Sequence, residues 1–440
     1  MGGNAQPELQ SWGRYRRVSQ DAIEQHWRDA ILPSGDAGRL LPYGQGRSYG
    51  DVAQNGGGTL ICTRDLDRFI AFDRERGVVR VESGVRLDHL LALVAPDGWY
   101  LPVVPGTQFI SIGGAIANDV HGKNHHREGT FGCHVLRFEL LRSDGTRIDC
   151  SPSGNADWFA ATVGGLGLTG LVTWAELALK RIPGTNVEAQ TLPCRSLAEF
   201  ASMCDASDGT HEYTVAWFDC FSYRDGRFRG LFMRANHAAG SPAPATPIGA
   251  VPFTPPVSFV RPSTMKAFNL GYFKAGMRQA RTTVVVPLDR YLYPLDRVAG
   301  WNRLYGPRGF LQLQCAIPHS RAEAGIAELL DAIARSGQGS CLAVLKRFGA
   351  RASPGVMSFP LPGITLALDF PFKGPATLRF FDTLHAIVLK HQGRMYAAKD
   401  ACMTPAVFEA GYPHWRQMKP FLDPAFGSDF WRRVTAGLAA

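Results

Sequence analysis

Apolar and β-branched residues gather in short runs through the first half of the chain, beginning with Val78-Val-Arg-Val-Glu82 and Val135-Leu-Arg-Phe-Glu-Leu-Leu141. Both runs predict strands, because each stops at residues that let the backbone reverse, Ser83-Gly84 and Ser143-Asp-Gly145. Leu87 to Val94 repeats apolar residues at helical spacing behind Asp88, and residues 155–163, entered from Ser153-Gly-Asn155, form a second helical candidate. Strands and helices thus alternate in the N-terminal part, as in an α/β or α+β domain. Further on, Phe310-Leu-Gln-Leu-Gln-Cys-Ala-Ile317 and Ile364-Thr-Leu-Ala-Leu-Asp-Phe370 alternate with period two. They predict strands of a second, antiparallel sheet, each with its polar side chains on one face. Between about 236 and 263 the composition turns to Ala, Pro, Gly and Ser, which predicts a long mobile loop, either a passive connector or a lid or membrane-facing flap. There is no internal repeat.

The 440 residues suffice for about two to three domains with their own cores. With 45% hydrophobic and 19% charged residues the composition is that of a globular enzyme. The formal charge of +9 is dispersed; its longest basic cluster is Arg14-Tyr-Arg-Arg17. With no zinc-finger or RNP-like pattern, this argues against nucleic acid as a partner and for an anionic small molecule or lipid head group. Nine scattered cysteines without a Cys-x-x-Cys pair fit neither a zinc site nor a disulfide framework. No leader pattern opens the chain and no apolar run reaches the roughly 18 residues a span needs. The expected location is the cytoplasm or the periphery of the inner membrane, with the periplasmic face left open.

The stretch from Pro105 to His126 packs small residues, amide donors and three histidines together. Gly106, Gly113 and Gly114 let backbone N–H groups reach a large, flat, charged ligand, while Ala115 and Ala117 keep the adjoining wall low. A second such loop, Gly44-Gln-Gly-Arg-Ser-Tyr-Gly-Asp51, adds a cation at Arg47 and a hydroxyl at Ser48. Two separated glycine-rich loops point to one long cofactor. Gly165-Leu-Gly-Leu-Thr-Gly170 matches the dinucleotide-binding pattern letter for letter, but a helical segment precedes it and a strand-like one follows. That order is the reverse of a Rossmann site. His121, His125 and His126 leave three readings open: metal ligands, a structural polar cluster, or a cofactor and substrate role. No acidic residue completes a recognised metal set, and no metal is expected.

These residues resemble the flavin enzymes of the vanillyl-alcohol-oxidase type, in which one loop holds the FAD pyrophosphate and a Pro-Gly-Thr…Gly-Gly-Ala segment lines the flavin. The resemblance covers nearly the whole chain. It is strongest to the branch that oxidises the 2′-hydroxyl of polyprenylphosphoryl-β-D-ribose, the first half of an epimerisation that supplies arabinose donors for cell-wall polysaccharide. Its marks are Gly46-Arg-Ser-Tyr-Gly-Asp51, Gly113-Gly-Ala-Ile-Ala117 with Asp119, Gly167-Leu-Thr-Gly170, Ala216-Trp-Phe-Asp219, Trp301-Asn-Arg303 with Tyr305-Gly-Pro307, Leu361-Pro-Gly363, Asp369-Phe-Pro371, Ala398-Lys-Asp400 and the branch-specific His121-Gly-Lys-Asn-His-His126.

The resemblance implies an α+β, two-domain FAD-binding fold of the PCMH type. It comprises an FAD domain over residues 1–184, an antiparallel-sheet substrate domain over 185–393, and a segment 394–440 that returns to the FAD domain. It assigns non-covalent FAD to Gly44, Gln45, Gly46, Arg47, Ser48, Tyr49, Gly50, Gly106, Thr107, Ser111, Ile112, Gly113, Gly114, Asn118, Asp119, Val120, His121, Val172 and Tyr396. The absence of histidine at Gly46-Arg47-Ser48, where covalent relatives commonly carry one, supports the non-covalent link. The substrate side would be Lys123, Trp217, Gln312, Gln314, Lys346, Phe348, Ala367 and Lys399. Lys399 and His121 are the candidates for the reacting hydroxyl, Lys123 and Lys346 for the phosphate, and Tyr49 for support of the ring. The mycobacterial members carry cysteine at the position of Ala367, which puts chain length or head-group preference in question. A short-chain NADH-dependent reductase is the implied partner, with peripheral membrane contact. The rival readings are an FAD oxidase of a soluble sugar, alditol or hydroxy acid, and a non-catalytic flavoprotein scaffold for a reductase.

Overall fold

A computed structural model describes residues 9–34, 36–240 and 248–438. The predicted strands at 78–82 and 135–141 lie in a five-stranded antiparallel sheet with Phe69–Asp73, Leu171–Ala178 and Arg147–Cys150. Alternate residues, Val79, Val81, Phe138, Leu140, Ala175 and Leu177, are buried. The helix Leu87–Val94 covers them with Leu87, Leu90, Leu91 and Val94, the face its spacing predicts. The second predicted helix is Ala156–Thr162. It precedes the Gly165–Gly170 turn and the strand Leu171–Ala178 follows, so that turn has helix-before-strand order.

The larger sheet has eight strands, in the order Thr283–Pro287, Asn186–Ser196, Arg227–Ala238, Tyr213–Arg224, Ala343–Phe348, Gly363–Pro371, Phe310–Pro318, Arg394–Met395. Its two faces are set by the period-two pattern. Leu311, Leu313, Cys315 and Ile317 pack with Leu366, Leu368 and Leu345 against the helices His319–Ser336 and Pro375–Lys390. Gln312 and Gln314 are thereby turned to the opposite face. Each fully buried Leu or Phe contributes about 1.5–3 kcal/mol. A one-residue slip would exchange the faces and lose those contributions, so the apolar side holds the polar side in register.

A three-stranded parallel sheet, Asp21–Glu24, Thr59–Cys62 and Leu40–Tyr43, delivers the chain into the first glycine-rich loop. The C-terminal segment comes back onto this region. Leu40 N–H donates to Ala425 O, and the Arg433 guanidinium binds both Asp51 and Asp400. No helix of the described residues is long and apolar enough to cross a membrane.

The loop expected at 236–263 is irregular over 251–261, and its ends are corrected. The strand Arg227–Ala238 runs through its start, held by neighbours on both sides, Gly249–Ala250 pairs with Val298–Ala299, and the helix Pro262–Arg278 opens before its end. Residues 241–247 of that stretch lie outside the described ones. A Pro- and Gly-rich composition marks turns; it does not register strand partners far away in sequence.

Candidate active site

The first loop is clamped between the N-terminal residues and the C-terminal segment. Tyr49 N–H donates to Ala398 O at 2.9 Å and Tyr49 O accepts from Gly13 N–H at 3.2 Å. Gly46 takes a left-handed conformation (φ 61°) with its α-carbon against the Tyr43 hydroxyl, where a side chain would clash. The second loop closes into the helix Ile112–Ala117, capped by Ser111 Oγ, which accepts from Gly114 N–H at 3.3 Å. Gly113 N–H donates to Ser83 O at 2.7 Å and so ties this helix to the end of the five-stranded sheet. The loops meet where Gly44 lies against Ser111 Oγ. Arg47 lies over the rings of Trp12 (4.0 Å) and Phe109 (5.6 Å). Burial lowers its pKa, and Asp296, which accepts from Gln108 N–H at 2.9 Å, counters that. Asp296 thus links the cation of one loop to the backbone of the other, and nothing in the local sequence marked it.

The polar face of the eight-stranded sheet looks toward these loops. Register places Gln312 opposite Asp369, Gln314 opposite Ala367, Val344 opposite Ala367 and Trp217 opposite Val344. Paired residues share a face, so these side chains line one surface. Gln312 Nε2 donates to Asp369 Oδ1 at 2.5 Å and the Tyr305 hydroxyl reaches Oδ2 at 3.5 Å. Gln314 Nε2 donates to His121 Nε2 at 3.0 Å. An amide NH2 can only donate, so His121 Nε2 accepts and the ring is neutral. Burial, then the charge of Lys346, holds its pKa well below the usual range in agreement.

Lys399 Nζ stands 3.3 Å from the centroid of the Tyr49 ring, a cation–π position over the first loop. Burial lowers its pKa, the Lys346 charge lowers it further, and Asp369 opposes both. Burial also raises Asp369, so both partners are driven toward their neutral forms and titrate as a pair. Lys346 is lowered to about 8 by burial and has no hydrogen-bond or ion-pair partner among the described residues.

The three histidines diverge. His121 holds Gln314, His125 Nδ1 accepts from Gly349 N–H at 3.2 Å, and His126 Nε2 donates to His211 O at 3.1 Å. Each ring fastens a different element to the second loop, and the three do not converge on one point. Asp119, at φ 38°, accepts from Gly132 N–H and from the Ser358 hydroxyl at 2.8 and 2.5 Å; burial raises it to about 6 despite those bonds. The Tyr396 hydroxyl donates to Asn118 O at 3.1 Å. Val120 and Val172 are buried in the core beneath the second loop. Gln45 and Ser48 are half-buried on the first loop, and Thr107 Oγ1 accepts from Phe109 N–H at 3.2 Å.

Two of the expected substrate-side residues are engaged within the protein. Lys123 Nζ is bound to the carbonyls of Tyr291 and Leu292, the latter at 3.2 Å, at the end of the helix Leu288–Leu292. Phe348 is fully buried and packs against His121 and His125 at 4.9 and 4.4 Å, so it backs the imidazoles and does not line open space. Conversely, Asp369 and Tyr305 enter the site although neither was singled out for a role. Asp369 carried a signal, a charge at a polar-face position of an otherwise apolar strand.

Comparison with known proteins identifies what this site serves. A family model described as an FAD binding domain matches residues 34–151, which include both glycine-rich loops. Decaprenylphosphoryl-beta-D-ribose oxidase of Mycolicibacterium smegmatis is 35% identical over 97% of this chain and 97% of its own. This chain belongs to the decaprenylphosphoryl-β-D-ribose oxidase family. An uncharacterized protein of Streptomyces coelicolor is 33% identical over 80% of this chain and 100% of its own, and human Delta(24)-sterol reductase is 33% identical over 30% of this chain and 26% of its own. As a member of the oxidase family, the protein is an FAD-dependent oxidoreductase of α+β fold.

The residues present fit FAD. A side chain at Gly106 would meet nothing within 4 Å, so the second loop faces open space there. Asn118 Oδ1 and His121 Nδ1 are both buried without a partner among the described residues. In the tautomer that Gln314 imposes, Nδ1 carries the proton. The pair therefore offers one acceptor and one donor, the complement of a heterocycle bearing both N–H and C=O groups.

Proposed function

We propose that this oxidase-family member converts the 2′-hydroxyl of a polyprenylphosphoryl-β-D-ribose to the 2′-keto sugar. The observation that carries the reading is Lys399, a lysine driven toward neutrality at the junction of the first glycine-rich loop and the polar sheet face. Bound FAD supplies the hydride acceptor. The neutral Lys399 amine takes the hydroxyl proton as the C–H bond breaks, and Asp369, held by Gln312 and Tyr305, stabilises the ammonium that forms. Lys346, without a counter-charge among the described residues, is the cation for the substrate phosphate, which would raise its lowered pKa on binding. A short-chain NADH-dependent reductase is the class of partner that would consume the ketone. The test is anaerobic addition of polyprenylphosphoryl ribose to the purified holoenzyme: the flavin absorbance should bleach, whereas bleaching by soluble sugars alone overturns the substrate assignment.

The pH dependence has a defined sign. Because the folded-state pKa of Lys399 is lowered, the rate of flavin reduction rises with pH through that value. Asp369→Asn removes the charge that favours the ammonium and should move this acid limb to lower pH. Lys346→Met removes a repulsion and should move it to higher pH. Stopped-flow reduction across pH reads both shifts; a limb unmoved in both variants would show that Lys399 does not titrate it.

The flavin is expected to be non-covalent, so acid precipitation should release all yellow colour into the supernatant; a flavin-modified peptide in the pellet contradicts this. Ala367 sits between Gln314 and Val344 on the polar face. Cys341 is nearer to it than its place in the sequence implies, since Trp217 Nε1 donates to its carbonyl and Asp369 acts on its thiol. Burial pushes that thiol up to about 12, which keeps it protonated and unreactive. Ala367→Cys should therefore create a sensitivity to thiol-directed electrophiles that the parent lacks. Mass-spectrometric labelling of the parent's Cys341 under the same conditions would refute this.

A further inference from the structure

Of the thirteen large apolar side chains exposed among the described residues, eight lie between 248 and 285. Phe253, Phe259 and Phe268 are 67%, 55% and 53% exposed, and in the helix Pro262–Arg278 only Asn269 is buried. Soluble surfaces rarely concentrate such side chains without a partner. The same stretch, residues 248–288, holds Arg261, Lys266, Lys274, Arg278 and Arg281 and no Asp or Glu.

This helix is fixed beside the site. Asn269 Nδ2 donates to Asp219 Oδ1 at 2.9 Å, Tyr272 packs on Trp217 at 4.7 Å, and Gly276 lies against Leu231, the residue opposite Trp217. The helix therefore lies on the polar, substrate side of the eight-stranded sheet. A basic cleft of about 480 Å³ adjoins the same segment. It is lined by Arg14, Arg16, Arg17, Arg308 and Lys373 with no acidic side chain, and Arg14 donates to Thr254 Oγ1 at 2.6 Å.

We propose that this face docks on an anionic lipid bilayer, with Phe253, Phe259 and Phe268 entering the boundary between head groups and acyl chains and the surrounding cations binding lipid phosphates. Apolar insertion and phosphate attraction are the two contributions that hold a protein on a membrane surface, and one alone holds weakly. The orientation brings the Trp217 side of the site to the bilayer; its purpose, delivery of a lipid-linked substrate, rests on the reading above, but the docking does not.

The test is co-sedimentation of the full-length holoenzyme with vesicles of phosphatidylglycerol and phosphatidylcholine, against pure phosphatidylcholine. Binding is expected to the anionic vesicles only, and to fall as salt rises. The triple substitution Phe253→Ser, Phe259→Ser, Phe268→Ser should weaken binding about tenfold or more, with flavin content and melting temperature unchanged. Arg261→Glu with Lys274→Glu should weaken it independently. No vesicle binding at low salt overturns the proposal, as does a triple variant that binds like the parent. So does self-association that covers these phenylalanines in place of lipid. Vesicle binding without flavin bleaching by the lipid substrate supports the docking face and removes the substrate assignment instead.

Discussion

Lys399→Ala is expected to slow flavin reduction by about 10²–10⁴, the usual effect of a positioned proton acceptor, while FAD occupancy and fold remain those of the parent. The Lys399 side chain makes no hydrogen bond among the described residues, and its ammonium stands over the Tyr49 ring. Its removal therefore breaks no side-chain hydrogen bond of the fold. The cofactor loops are held by other groups, Ser111, Ser83 and the carbonyl of Ala398. Single-turnover kinetics separates the two contributions. A rate within a few-fold of the parent at unchanged flavin content would remove Lys399 from the chemistry and leave His121, whose neutral ring is already committed to Gln314 through Nε2. Lys399→Arg is an informative companion: it keeps the positive charge but cannot lose its proton near neutrality, so it should fail almost as badly.

Gly50→Ala should produce the largest structural effect of any single methyl group in the loop. The added Cβ would lie 1.4 Å from Asp400 O and 2.3 Å from Asp400 C, both backbone atoms. The backbone at Gly50 is extended, so the penalty is overlap and not conformational preference. Relief requires the first loop to part from the C-terminal segment. That movement pulls on Arg433, which binds Asp51 at 2.6 Å and Asp400 at 3.0 Å, and on the Asp400 carboxylate, which accepts from Met403 N–H at 3.0 Å. Disrupting a buried, paired charge network costs about 3–5 kcal/mol. The expected result is a large fall in melting temperature with loss of bound FAD, read by absorbance of the purified protein. Gly209→Ala, where a Cβ meets nothing within 4 Å, is the neutral control. A Gly50→Ala protein with parental flavin content and stability would show that the contact between loop and C-terminal segment is dispensable.

Much of the site was legible before the fold was known. Period two at Phe310–Pro318 and Gly363–Pro371 placed Gln312, Gln314, Ala367 and Asp369 on polar positions, and the structure pairs those positions directly across two adjacent strands. The glycines drew attention to both loops, and a Cβ at 44 or 46 would overlap Ser111 Oγ or the Tyr43 hydroxyl while one at 106 would enter open space. The contacts of Lys123 were not legible, for a reason that generalises. A lysine beside a glycine-rich loop reads as a ligand for anions, but a long flexible stem reaches whichever acceptors the fold provides, here the carbonyls that end a helix about 170 residues later in the chain.

Local pattern, through side-chain periodicity and backbone freedom, determined the strands at 78–82, 135–141, 171–178, 310–318 and 363–371, the helices at 87–94 and 156–162, the two loops and the chemical types available at them. Those properties depend on neighbours within a few residues, which is all that a periodic pattern records. Only the tertiary structure decided which polar groups meet. Arg433 reaches Asp51 across 382 positions, His121 finds Gln314 across 193, and Asp296 joins Gln108 across 188. The lowered pKa of Lys399 belongs to the same class, because it comes from burial and from the Lys346 charge, against the opposing pull of Asp369, in a low-dielectric surrounding that exists only after the sheet, the loops and the C-terminal segment have closed around it.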